Sequence, residues 1–159
     1  SGMTGGFCAK KGCVRWCGGG RIGLRGFMAE AAMAAGGNVT GVIPEIFSAR
    51  GQAHRLMTEL VEVPDLTVRK EKMISLGDVF LILPGGIGTQ EELADTANHF
   101  HIYKEADKRP PIIIANIDHI YDPLAKLFES WRKNEFIDPS EWKNIHFIRS
   151  FSELLPLLP

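Results

Sequence analysis

LPGGIGTQEE, residues 83–92, follows directly on the apolar run Val79-Phe80-Leu81-Ile82. A hydrophobic strand stops on Pro-Gly-Gly, and a helix opens on Thr89-Gln90-Glu91-Glu92. Glycine lets backbone N–H groups converge with no Cβ in the way, and a helix N-terminus adds partial positive charge. A phosphate is therefore a natural guest. The plain alternative is a tight turn that needs positive φ.

The same strand-to-helix grammar runs along the chain. Gly12 to Cys17 reads as a strand ending on Gly18-Gly19-Gly20, and Leu24 to Ala35 as a helix stopped by Gly36-Gly37. Asn38 to Ile43 is a strand halted by Pro44, Thr67 to Leu76 a helix, Asp78 to Leu83 a strand, and Thr89 to about Lys104 a helix. Ile112-Ile113-Ile114-Ala115 is a strand apolar on both faces. Asp122-Pro123 reads as an N-cap with proline at the first helical position, opening a helix to about Asn134. Asn144 to Ile148 is a last strand, and Ser150 to Glu153 has capping-box spacing. Continuously apolar strands separated by helices predict an α/β fold. The expected form is a doubly wound, Rossmann-like parallel sheet with helices on both faces, in a single domain over residues 1–159.

Composition narrows the function classes. The chain has 159 residues, 45% hydrophobic and 23% charged, with a formal net charge of −1. That balance gives no electrostatic footprint for nucleic acid or anionic membrane. No apolar run approaches the roughly 20 residues that span a bilayer. Cys8, Cys13 and Cys17 are odd in number and contain no C-x-x-C pair, so free thiols in a reducing cytosol are expected rather than a zinc site. Ser1-Gly2 ahead of Met3 has the look of an expression remnant rather than a signal peptide.

A parallel sheet of this kind binds ligands beyond the carboxyl ends of its strands. Two glycine-rich turns lie at such ends, Gly18 to Gly26 and Pro84 to Thr89. Neither is a Walker A loop, because no Lys-Ser/Thr follows. Gly18 to Gly23 satisfies G-x-G-x-x-G, a weak dinucleotide signal, and the next strand ends Val42-Ile43-Pro44 with no acid to hold a ribose.

Pro84-Gly-Gly-Ile-Gly-Thr-Gln-Glu-Glu92 matches P-G-G-x-G-T-x-x-E, and Arg69-Lys70 with Met73 matches the Arg-Lys pair expected about fifteen residues upstream. Gly18 to Gly26 is similar to G-G-G-x-x-G-L-x-G, with Arg25 where an apolar residue is expected. Over essentially its whole length the chain resembles the LONELY GUY family, nucleoside 5′-monophosphate phosphoribohydrolases that activate cytokinins. Those relatives begin with a further strand, a Gly-Ser loop and a helix. Only about a dozen residues precede Gly12 here, so the expectation is that the family's first strand and loop are lacking.

The resemblance implies hydrolysis of the N-glycosidic bond of a cytokinin riboside 5′-monophosphate or AMP, giving free base and ribose 5-phosphate, with no cofactor and no metal. It implies a phosphate on the amides of Gly85, Gly86, Gly88 and Thr89, with Gly19, Gly20, Gly23 and Lys70 also facing the substrate. Glu92 takes the role of the carboxylate that meets oxocarbenium charge on the ribose, and Glu91 that of a ribose-hydroxyl ligand. Arg69 offers a planar fork suited to a phosphate or to the departing base. Relatives form homodimers. The apolar stripe Leu93, Ala97, Phe100 and Tyr103, with Thr96 and His99 beside it, offers a second copy a surface, as do Phe27, Met28 and Met33.

Each assignment has a plainer counterpart. Thr89-Gln90-Glu91-Glu92 is also a capping box, whose glutamate would only fold back on the helix start. Arg69 alone is a solvated helix charge, and Met73 is core or a wall against the base. His99 and His101, two apart on a helix, face different directions and make poor metal partners. Two other functions compete. A nucleotide carrier of the same fold would bind without cleaving. A pyridoxal phosphate decarboxylase would need a Schiff-base lysine and a far larger scaffold.

Overall fold

The computed structural model describes residues 14–17, 30–53 and 57–158. Two compact units make up the chain, Ser1–Gly77 and Asp78–Pro159. All strand pairs among the described residues are parallel, as apolar runs joined through helices require.

In the first unit the strand order is β1 (Val14–Cys17), β2 (Asn38–Pro44), β3 (Glu59–Val63). The central β2 is buried from Val39 to Pro44. The glycine stop before it has a visible cause. Residues 30–34 are helical, Gly36 turns left-handed at φ 79°, its amide donates to Met33 O at 2.9 Å, and Gly37 N donates to Ala32 O at 3.0 Å. That pair of bonds is the Schellman pattern, which satisfies carbonyls the helix would leave open. Ala32 and Val39 then pack together with Met57.

The sequence pattern predicts no element between Pro44 and Thr67, yet α1 (Glu45–Ala49) and β3 lie there. The β3 sequence Glu-Leu-Val-Glu-Val is an edge strand with Glu59 and Glu62 exposed. The Ser48 hydroxyl donates to Glu62 Oε1 across to α1. Next, α2 (Leu66–Leu76) opens on Asp65, whose carboxylate accepts from Val68 N at 2.9 Å.

In the second unit the order is β4 (Phe80–Ile82), β5 (Ile112–Ala115), β6 (Ile145–Ile148). Every residue of β5 is fully buried, which accounts for a strand apolar on both faces. Ile113 and Ala115 join Ile148 and Leu154 in one core cluster, the last from the 3₁₀ helix Phe151–Leu157. Half of the capping box expected at Ser150 forms, while Glu153 N donates to Ser150 O and not to the hydroxyl. Glu153 Oε1 accepts from Ser150 N at 2.9 Å, although Pro156 keeps the element a 3₁₀ turn.

Helix α3 (Ile87–Tyr103) leans on β4 through Phe100, whose ring lies 5.3 Å from that of Phe80. Leu93, Thr96 and Phe100 are the buried positions of α3. Phe100 therefore belongs to the core of its own unit rather than to an outward stripe, while Ile102 and Tyr103 are 59% and 72% exposed. Helix α4 (Asp122–Lys133) carries proline in its first turn as expected, but its N-cap is Tyr121, not Asp122. A short α5 (Pro139–Trp142) precedes β6. No helix of the described residues is long and apolar enough to cross a membrane.

Candidate functional site

The turn between β4 and α3 is built from Leu83-Pro84-Gly85-Gly86. Gly86 is the N-cap, at φ −88° and ψ −151°, and the helix begins at Ile87, two residues ahead of the expected start. Thr89 N and Gln90 N both donate to Gly86 O, at 3.0 and 3.2 Å. The amides of Ile87 and Gly88 are left at the mouth with no carbonyl one turn behind them, at the positive end of a 17-residue helix. The capping box cannot form in this register. It needs the threonine at the N-cap, and Thr89 is the third residue of the helix.

The three glycines differ in what they do for the chain. A Cβ on Gly85 would lie 2.1 Å from Thr89 Oγ1, so packing alone demands glycine there. A Cβ on Gly86 or Gly88 would meet nothing within 4 Å among the described residues. Neither has positive φ, which among described glycines belongs to Gly36 and Gly51. The tight-turn explanation therefore fails at both positions. Among the described residues nothing crowds an alanine at either, although glycine is itself a favoured N-cap at Gly86, and the bare backbone leaves room for a ligand. Gly85→Ala is expected to destabilise by about 1–3 kcal/mol through overpacking. Gly86→Ala and Gly88→Ala should melt within about 2–4 °C of the parent, a change of less than about 1 kcal/mol. Thermal melts of the three variants check this, and equal losses at all three would contradict it.

Thr89, Glu92 and Thr96 recur at i, i+3 and i+7, so they share one face of α3. Thr96 is buried and its hydroxyl donates to Glu92 O at 2.7 Å, while Glu92 is half-buried and Glu91 exposed. The face that carries the Thr89 hydroxyl beside Gly85 thus also carries the Glu92 carboxylate, one turn further in.

A residue not singled out from the sequence holds this turn. Tyr121, 4% exposed, donates its hydroxyl to Leu83 O at 2.8 Å and accepts from Gly85 N at 3.0 Å. Burial pushes its phenol above the usual 10.0, with the Gly85 amide and the Gln90 side chain pulling the other way, so it remains a neutral donor at physiological pH. Of the amides expected to meet a phosphate, Gly85 N is thereby engaged within the chain, and Thr89 N is engaged with Gly86 O. The helix mouth offers Ile87 N beside Gly88 N in their place.

Tyr121 is itself fixed from behind. Its amide donates to Asn116 Oδ1 at 2.7 Å, and Asn116 Nδ2 donates to Asp122 Oδ1 at 2.7 Å. That bond occupies the carboxylate expected to cap α4, and is the main reason the Asp122 pKa is lowered. Asp118 and His119 sit left-handed at φ 53° and 61°, at about 1–3 kcal/mol each for non-glycine residues. Asp and His are among the residue types that tolerate this region best. The signal available from sequence was topological. The loop leaving β5 must lie beside the loop leaving its neighbour β4.

In the first unit Arg69 lies on the first turn of α2 and is only 7% exposed, the one charged side chain buried to that degree among the described residues. A solvated helix charge would not be there, because burying a guanidinium is costly unless its charge is used. Lys70 and Met73 are half-buried on the same helix. Gly19, Gly20 and Gly23, like Phe27 and Met28, lie outside the described residues.

The family model described as "possible lysine decarboxylase" matches residues 26–158. A cytokinin riboside 5′-monophosphate phosphoribohydrolase from Rhodococcoides fascians is 41% identical over 126 residues, 77% of this chain and 61% of that protein. A probable enzyme of the same name from Oryza sativa subsp. japonica is 37% identical over 122 residues, 76% of this chain and 52% of that one. The chain thus spans between about half and three-fifths of the length of these relatives. Among solved structures, the molybdenum cofactor carrier protein of Chlamydomonas reinhardtii superposes with a TM-score of 0.70 at 16% identity, covering 98% of this chain and 81% of that one. At that identity the likeness shows a shared fold and nothing finer.

Proposed function

This chain belongs to the family described as possible lysine decarboxylase, the LONELY GUY family of the sequence resemblance, and from that premise we propose that it hydrolyses the N-glycosidic bond of an adenine-type nucleoside 5′-monophosphate. Water adds to the anomeric carbon of the ribose, the bond to the base nitrogen breaks, and the base leaves with the electron pair, taking up one proton for the one the water releases. The products are free base and ribose 5-phosphate.

The observation that carries this reading is the bare helix mouth. Among the described residues nothing crowds Gly86 or Gly88 and neither has positive φ, yet both are glycine where backbone N–H groups converge at a helix N-terminus. The 5′-phosphate sits there, with the Thr89 hydroxyl as a further donor. Glu92, on the same face of α3, lies where the ribose would follow, and its carboxylate faces the positive charge that builds as the bond breaks. It also accepts a proton from the attacking water. Glu91 binds a ribose hydroxyl. The family motif assigns Arg69 a charge for the phosphate or the departing base and Lys70 a part in substrate binding. The resemblance adds Gly19, Gly20 and Gly23 to the substrate-binding residues.

Relatives named for cytokinin ribosides support a prenylated adenine as the base. Plain AMP is the simpler substrate of the same chemistry. Incubation with AMP and with isopentenyladenosine monophosphate, followed by chromatography, decides the matter. Free adenine or isopentenyladenine is expected. Nucleotide binding with no release of base would instead favour a carrier, and would sink the proposed reaction.

We further propose that the protein works as a two-fold homodimer. The exposed Ile102 and Tyr103 at the end of α3 supply apolar surface that its own unit leaves uncovered. A stable interface of about 1,600 Å² in total is expected. Light scattering at micromolar concentration should give about twice 17.6 kDa, and a monomer mass would refute the dimer.

A further inference from the structure

We infer that Tyr121 is a positioning residue, whose hydroxyl holds the Leu83–Gly85 backbone in the shape that presents the helix-mouth amides to an anion. The inference deepens the proposed function and rests on its placing of a phosphate at this turn. Tyr121 Oη lies 2.8 Å from Leu83 O and 3.0 Å from Gly85 N, so a single hydroxyl bonds the chain on both sides of Pro84. Proline has no amide of its own to tie down, and glycine resists bending least. Pro84 fixes its own φ, but Gly85 and Gly86 leave the link from β4 to the N-cap free to bend, and the phenol supplies a restraint there.

The rest of the Tyr121 environment serves to aim that oxygen. The residue is buried, its own amide is held by Asn116 Oδ1, and Asn116 N donates to Ile148 O at 2.8 Å, which ties the network to β6. The two left-handed residues before it, Asp118 and His119, turn the chain back from β5 toward the β4 loop, and His119 Nδ1 lies 3.2 Å from Asp122 Oδ2. Such strain persists only where surrounding bonds over-determine it. The hydroxyl also frees the anion site from a competing demand. By accepting from Gly85 N it satisfies that donor inside the chain, and the amides of Ile87 and Gly88 remain for a ligand.

Titration with inorganic phosphate, followed through the backbone amide resonances, tests this on wild type and Tyr121→Phe, which keeps the ring and removes only the oxygen. Shifts at Ile87 and Gly88 are expected in the wild type, and about tenfold more phosphate should be needed in the variant, the range expected when a buried donor loses its partner. With AMP as substrate, KM should rise about tenfold while kcat stays within about threefold. Equal phosphate dependence in the two proteins, or no shift in the wild type, overturns the inference. Absence of base release from AMP counts against the proposed reaction alone, because the phosphate titration does not depend on turnover. Were the variant not to fold, hydrogen exchange in the wild type still decides. Slower exchange at Gly85 than at Gly88 upholds the bond, and equal rates refute it.

Discussion

Replacing Glu92 by glutamine is expected to lower turnover by about 10²-fold or more while leaving the dissociation constant for the nucleotide within about threefold. The substitution keeps size and hydrogen-bonding reach and removes only the charge. The charge it is proposed to meet, on the ribose ring, exists mainly in the transition state, so the loss falls on kcat rather than on binding. The rival explanation for this glutamate was local. A capping role would predict lower thermal stability and near-normal turnover. With the N-cap at Gly86 and Thr89 as the third helical residue, that role has no geometry to act through. A kinetic run with the variant and a parallel melt separate the two cleanly, and near-normal kcat would remove Glu92 from the mechanism.

Removing the phosphate from the substrate should cost still more. Adenosine is expected to be hydrolysed with kcat/KM about 10³-fold below that of AMP. Binding energy from a remote, unreactive group is used to orient the reacting bond, and truncated substrates lose turnover as well as affinity. The structural basis is the helix mouth, where Gly86 and Gly88 leave the first amides of α3 open to an anion. Equal rates with adenosine and AMP would mean that the 85–89 turn does not hold the phosphate.

How far this was legible from sequence depends on the range of each interaction. Gly36-Gly37 as a helix stop, the Glu153 half of a capping box at Ser150 and Ile112 to Ala115 as a strand buried on both faces were all readable, because each is a property of a few consecutive residues. The edge strand β3 escaped, since two outward glutamates break its apolar pattern. The start of α3 was misplaced for a similar reason. Thr89 and Gly86 are about equal as N-caps by residue type, and only the structure shows Thr89 N and Gln90 N both donating to Gly86 O, which starts the helix earlier.

By itself, then, the sequence determined the α/β class, the parallel direction of the strands and the family, through apolar periodicity and the P-G-G-x-G-T-x-x-E run. These are local signals, written in neighbouring residues. Tertiary structure alone decided that packing demands glycine at Gly85, that Asp122 serves Asn116 rather than a helix end, and that Tyr121 holds the Leu83–Gly85 backbone. The reason is distance along the chain. Tyr121 meets its two partners 38 and 36 positions away along the chain, and nothing in the spacing of residues records which backbone atoms two neighbouring strand ends bring within 3 Å.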